Sequence, residues 1–318
     1  MSADDDDFPG GHPLPPPSSK VDKTADVAAP FDDETSPATR AFYGHFLILA
    51  GLPYSDPGPL PEWTRRSGSS LLRLQPGLNV HPDTMDQLQD GGHCRLPRSA
   101  YPYGINPRYL FAWLATEARK KHSRTLYTGD SMSAFMAKMG LACTGGVRGS
   151  LRYFTDQFWR LATCSITSYR VSSDGKRTTA ETFHIADKIT LWGEQLTTKS
   201  PTLARTEVVL SQRCYDEFCT HSVPYNPLAL RAFTGSAFQF DIYLWLTYRM
   251  YYLTTPTRVT WTQLQGQFGS TVTVLWQFRQ NFLHALAYVR HVYPQANLTV
   301  TKEGIILRPS PPHVPIVR

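Results

Sequence analysis

Cysteine is scarce in this chain of 318 residues, and the five present (Cys94, Cys143, Cys164, Cys214 and Cys219) are an odd number for a disulfide framework. Cys214, Cys219 and His221 lie close together, but four residues separate the two cysteines and no second ligand pair follows, a poor pattern for zinc. Reduced, partly buried thiols and no metal are the expectation. Long apolar runs are missing too. The longest, FLILAGL at 46–52 and IYLWLTY at 242–248, fall well short of the roughly 20 residues a membrane span requires. No basic and apolar leader of the secretory kind opens the sequence, so a soluble cytoplasmic protein is expected. The ten histidines include no His-x-His pair, which leaves the sixteen tyrosines without the metal-held partner of a DNA nickase. A Walker motif is also lacking, because the glycine loop CTGGVRG at 143–149 does not end in Gly-Lys-Ser/Thr. These absences predict a binding protein without a cofactor, not an enzyme.

Charge, by contrast, is present and unevenly placed. Residues 1–40 hold nine acids against Lys20, Lys23 and Arg40, and residues 41–318 hold 29 basic and 17 acidic residues. The acidic, Pro/Gly/Ser-rich leader cannot bury enough apolar surface to order itself, so disorder is expected over 1–40. The cationic remainder suits a polyanionic partner such as DNA, although a basic domain with no such partner has the same average.

The chain also repeats itself. RYLFAWLATE at 108–117 and DIYLWLTYRM at 241–250 coincide when one is slid by 132 positions, placing Ile242 on Leu110, Trp245 on Trp113 and Leu246 on Leu114. The i, i+3, i+4 spacing predicts a helix with one apolar face in each. A second short helix follows each copy, SMSAFMAKMGL with Ser131 as N-cap and TWTQLQGQFG with Thr260 as N-cap. Met132, Phe135 and Met139 then answer to Trp261, Leu264 and Phe268. A third helix comes next, burying Leu151, Phe154, Phe158 and Leu161 in one copy and Phe278, Phe282, Ala285, Leu286 and Val289 in the other. Each copy closes on two strand-like segments: SITSYRV and TFHIADKITLW in the first, ANLTV and IILRP around TKEG in the second. The order predicts an α+β fold of tandem winged-helix domains related by an internal pseudo-repeat. The predicted division is a leader at 1–40, a lead-in segment at 41–100, a first winged helix at 101–193, a linker region at 194–232 and a second winged helix at 233–318.

A winged helix reads the major groove with its third helix and holds phosphates with helix starts and the wing. Arg148, Arg152 and Arg160 are the resulting candidates in the first domain, although Arg152, Asp156 and Arg160 also have the spacing of an i, i+4 charge ladder on a solvated face. In the second domain Trp276, Gln277, Gln280 and His284 lie opposite Phe278 and Phe282, and a glutamine amide suits adenine. Arg279 and Arg290 flank that face as phosphate candidates, and Lys176, Arg177 and Lys302 are wing-tip candidates. Arg258 and Arg308 are weaker ones. Trp113, Trp245, Phe158 and Phe282 are expected in the core instead of stacking on bases.

Several stretches resemble the RepA family of plasmid replication proteins: YPYGINPRYLFAWLATEA (101–118), SMSAFMAKMGLACTGGVRGSLR (131–152), HSVPYNPLALRAF (221–233), DIYLWLTYRM, LRPSPPHV (307–314) and LPYSDPGPLPEWTRRSG (52–68). The resemblance spans roughly 43–314, and the long acidic leader departs from it. It implies a bacterial, plasmid-associated initiator that binds repeated double-stranded sites at the plasmid origin. It also implies help in opening the duplex and loading the host helicase with host initiator protein, and dimers that repress the initiator's own promoter. A winged-helix transcriptional repressor without initiator activity is the alternative reading.

Overall fold

The computed structural model describes residues 40–314 except 69, 78–100, 130, 140, 146–148, 173, 192–205, 234 and 270–271. The leader, Cys94, Gly140 and Arg148 therefore lie outside the described residues.

The chain begins with β1 (Ala41–Gly44), α1 (His45–Ala50) and the hairpin β2 (Trp63–Ser67) and β3 (Ser70–Gln75). The first Trp-Leu stretch forms α2 (Asn106–Lys121), followed by β4 (Thr125–Tyr127), α3 (Met132–Lys138) and α4 (Ser150–Thr163). Then come β5 (Ser165–Val171), β6 (Thr178–His184), β7 (Ala186–Leu191) and β8 (Thr206–Leu210). The elements α5 (Gln212–His221), β9 (Ser222–Tyr225) and α6 (Pro227–Ala232) lead to the second Trp-Leu stretch, α7 (Ala237–Tyr252). The chain closes with β10 (Thr257–Thr260), α8 (Trp261–Phe268), α9 (Leu275–Val292), β11 (Leu298–Val300) and β12 (Gly304–Leu307).

Local chemistry explains where the helices start. Ser131 accepts a hydrogen bond from the Ala134 amide at the head of α3. Thr260 and Gln263 form a reciprocal capping box on α8, satisfying two amides that would otherwise have no partner. The segment read as one strand, TFHIADKITLW, is two. Ile185 is fully buried between β6 and β7, and at that point the chain passes from one sheet to another.

Among the described residues the strands form four antiparallel sheets, β1-β9, β2-β3-β5-β6, β4-β8-β7 and β10-β12-β11. The second and third draw on distant segments: β3 pairs with β5 from Ser70↔Arg170 to Gln75↔Ser165, and β4 pairs with β8 at Leu126↔Val208. The connection between β5 and β6 therefore belongs to a sheet that includes the β2–β3 hairpin.

Helices α2 and α7 lie at the centre and are buried around most of their circumference, beyond the single face that their spacing predicts. Trp245, Phe158 and Phe282 are buried, and Trp113 is half-buried with its ring 4.7 Å from that of Phe135. Burial pushes the Cys164 thiol up to about 12. Among the described residues, no helix is long and apolar enough to cross a membrane.

One charged pair joins the two central helices. Arg108 of α2 donates from Nε to Asp241 Oδ1 and from Nη2 to Oδ2, both at 2.7 Å. Its remaining donors go to carbonyls, Nη1 to Gly104 at 2.6 Å and Pro53 at 3.3 Å, and Nη2 to Leu52 at 2.7 Å. These bonds match the five N–H groups of a guanidinium, which explains how it is tolerated at 0% exposure. Gly51 makes the approach possible: its φ is +63° and a Cβ there would sit 3.0 Å from Asp241 Oδ2. Removing one partner strands a buried charge, so Arg108→Met is expected to lower unfolding free energy by about 3–5 kcal/mol. Arg108→Met combined with Asp241→Leu should cost less than the single change. Urea titrations of both variants check this; a single variant within about 1 kcal/mol of wild type contradicts it.

Candidate nucleic-acid interface

Helix α9 owes its position to one apolar stripe. Phe278, Phe282, Leu286 and Val289 are buried, and the rings of Phe268, Phe238 and Trp261 meet Phe282 at 5.7, 6.1 and 6.0 Å. The opposite side is left to solvent: Trp276, Gln277, Gln280 and His284 are all exposed, as the periodicity predicts. None of the 18 residues of α9 is acidic, and no side chain caps its first turn. Arg290 is exposed near its end, and Lys302 is exposed in the turn between β11 and β12. These residues share one unit of the fold. Arg279 is different, being half-buried with its guanidinium 5.3 Å from the centre of the Trp261 ring. Beside α9 a cleft of about 360 Å³ is lined by Tyr54, Phe238, Phe278, Asn281 and His284, among others. Of the weaker candidates, Arg258 is exposed on β10, and half-buried Arg308 donates to Thr299.

Helix α4 presents less. Arg152 is exposed and Tyr153 is 39% exposed beside it. Arg160 has structural ties: it pairs with Asp156 at 2.7 Å, lies 3.9 Å from Asp56, and stacks over Tyr103 at 5.4 Å. Its side chain is 16% exposed. Lys176 and Arg177 are exposed at the tip between β5 and β6. Asp174 shares that tip, its carboxyl held below the usual range by the Ser172 hydroxyl and the Lys176 amide, which both donate to it. Arg177 and Lys302 thus sit on different sheets, far apart in topology.

Two buried arginines escaped sequence reasoning, Arg108 and Arg65. Arg65 is 5% exposed and lies between the rings of Tyr54 and Trp63, at 5.1 and 4.9 Å. A signal for the Arg108 pair was available: each Trp-Leu helix carries a single charge near the head of its apolar run, one basic and one acidic.

Residues 101–263 match the family described as plasmid encoded RepA protein. The chain belongs to the RepA family of plasmid replication initiators. The matched span takes in α2 through the start of α8, including Arg152, Lys176 and the Arg108–Asp241 pair, and stops before α9. Among solved structures, the selenomethionine derivative of domains 2 and 3 of RctB is similar, with TM-score 0.49 and 10% identity over 83% of this chain and 96% of that one. A second crystal structure of RctB domains 2–3 gives TM-score 0.47 and 11% identity, over 82% and 94%. No curated protein matches the chain in sequence.

The contrast between tied and solvent-facing cations has a measurable consequence. Arg160→Ala is expected to cost about 1–2 kcal/mol of stability, and Lys176→Ala with Arg177→Ala to stay within about 0.5 kcal/mol of wild type. Thermal melts of both variants check this; equal losses would remove the distinction.

Proposed function

We propose that this initiator grips repeated duplex sites at its origin through two winged-helix units and acts by binding, without chemistry of its own. The topology of the sheets supports two units of one kind. In each, the strand after the first helix (β4, β10) pairs with the last strand (β8, β12), which pairs with the strand before it (β7, β11). On this reading the first unit runs through β8. The connection between β7 and β8, residues 192–205, lies outside the described residues. The Lys176–Arg177 tip becomes an accessory phosphate contact on the other sheet.

The observation that carries the reading is the composition of α9. An 18-residue helix with no carboxylate, an amide-rich exposed face and an uncapped first turn is suited to the major groove of a polyanion. Gln277, Gln280 and His284 face the bases and Arg290 and Lys302 the backbone, while Arg279, stacked on Trp261, supports the helix from its edge. In the first unit Arg152 takes the equivalent place on α4, with Arg148 before it. Arg160 supports α4 from behind. In this proposal origin binding lets the chain promote opening of the duplex and loading of the host helicase with host initiator protein, and the same binding at its own promoter represses the gene.

Binding of the purified chain to labelled fragments of its parent replicon, at two salt concentrations, tests the proposal. Tight binding to a repeat array is expected, with affinity falling steeply as salt rises because each phosphate contact releases counterions. Binding at a promoter alone would favour the repressor. No preference among fragments at either salt would overturn the assignment.

A further inference from the structure

The head of α9 carries an apolar surface that the fold leaves uncovered. Val274 is 54% exposed, Leu275 40% and Trp276 69%, three consecutive large side chains ahead of the first glutamine. The core does not need them: Phe278 and Phe282, one turn further on, already fill the space beneath the helix at 1% and 0% exposure. A tryptophan exposed in this way incurs a solvation cost that nothing within the described chain offsets.

The neighbours of this patch indicate what covers it. Gln277 and Gln280 share the exposed side of α9, the helix has no acid, and Arg258 and Lys302 are exposed on the strand and turn of the same unit. The surroundings therefore complement a polyanion. In the major groove a base pair offers hydrogen-bonding edges and one apolar group, the C5-methyl of thymine. Glutamine amides address the former. An apolar side chain gains most from the latter, because both surfaces leave water together, whereas an amide or a cation laid against a methyl gives up hydration of its own.

We infer that Trp276, on the same exposed side of α9 as Gln277 and Gln280, is a specificity residue that contacts a thymine methyl group in the major groove, beside glutamine-read adenines. The inference rests on the proposed DNA-binding role of α9 and deepens it. It makes the preferred site of the second unit one in which A·T pairs meet the first turn of the helix, with Gln280 on adenine and the indole against a thymine.

The test uses the full chain and a bound duplex in which deoxyuridine replaces thymidine one position at a time, which removes the methyl and leaves every hydrogen-bonding edge in place. Wild type is expected to lose about fourfold in affinity at one position, the worth of one buried methyl group. Trp276→Ala should bind the thymine and uracil duplexes equally, and Trp276→Phe should keep part of the discrimination. Because Trp276 is so exposed, thermal melts of both variants should match wild type, which separates lost recognition from lost folding. Binding that is tight but indifferent to uracil at every position would overturn the inference while leaving the proposed function standing. Failure to bind any duplex would overturn the proposed function itself. A Trp276→Ala chain that changes oligomeric state in sedimentation, with its uracil sensitivity intact, would assign the patch to a second copy of the chain and overturn the inference as well.

Discussion

Arg108 and Asp241 determine how the two central helices of this molecule meet. The pair joins α2 to α7, with Arg108 fully buried and Asp241 nearly so. A buried ion pair is a poor source of stability, since desolvation consumes most of what the Coulomb attraction returns. Its effect here is geometric. A planar guanidinium with five directed donors accepts one arrangement of partners, and four of its bonds cross from α2 to α7 and to the Leu52–Pro53 turn. An apolar contact of equal area would tolerate sliding. This one does not, so the turn after α1 and the two central helices are fixed in register together.

That constraint reaches the surface through short paths. Helix α7 packs against α9, and α2 against α4, so the two candidate reading helices are each one layer away from the fixed pair. The strands of the lead-in segment add a second tie, with β2 and β3 in a sheet with β5 and β6 and β2 in contact with α8. Rigidity of this kind favours the two-point DNA binding proposed above, because orientation fixed in advance need not be paid for on binding.

The sequence made the helices legible and left the sheets obscure, for a physical reason. Helix signals are local. Ser131 and Thr260 act on amides within three residues, and the Phe278–Phe282–Val289 stripe is visible in one short window. Strand partners carry no such local mark: nothing near Ser70 announces Arg170, and nothing near Leu126 announces Val208. The hairpin of Lys176 and Arg177 could therefore be read as a strand–turn–strand unit, but not as part of a sheet with the lead-in segment.

The candidate site divides in the same way. Exposure of Gln277, Gln280 and His284 followed from helical spacing alone. The roles of the arginines did not, because one residue type serves as surface cation at Arg152 and Arg290, as ring-stacked support at Arg160 and Arg279, and as buried fastener at Arg108. Which role an arginine takes depends on aromatic rings and carboxylates brought in from elsewhere in the chain. Hydroxyl-radical footprinting of the full chain on a single origin repeat tests the central claim most directly. Two protected blocks on one face of the duplex, about one helical turn of ~10 base pairs apart, are expected from two units held in fixed register. A single block no wider than one unit would contradict the account.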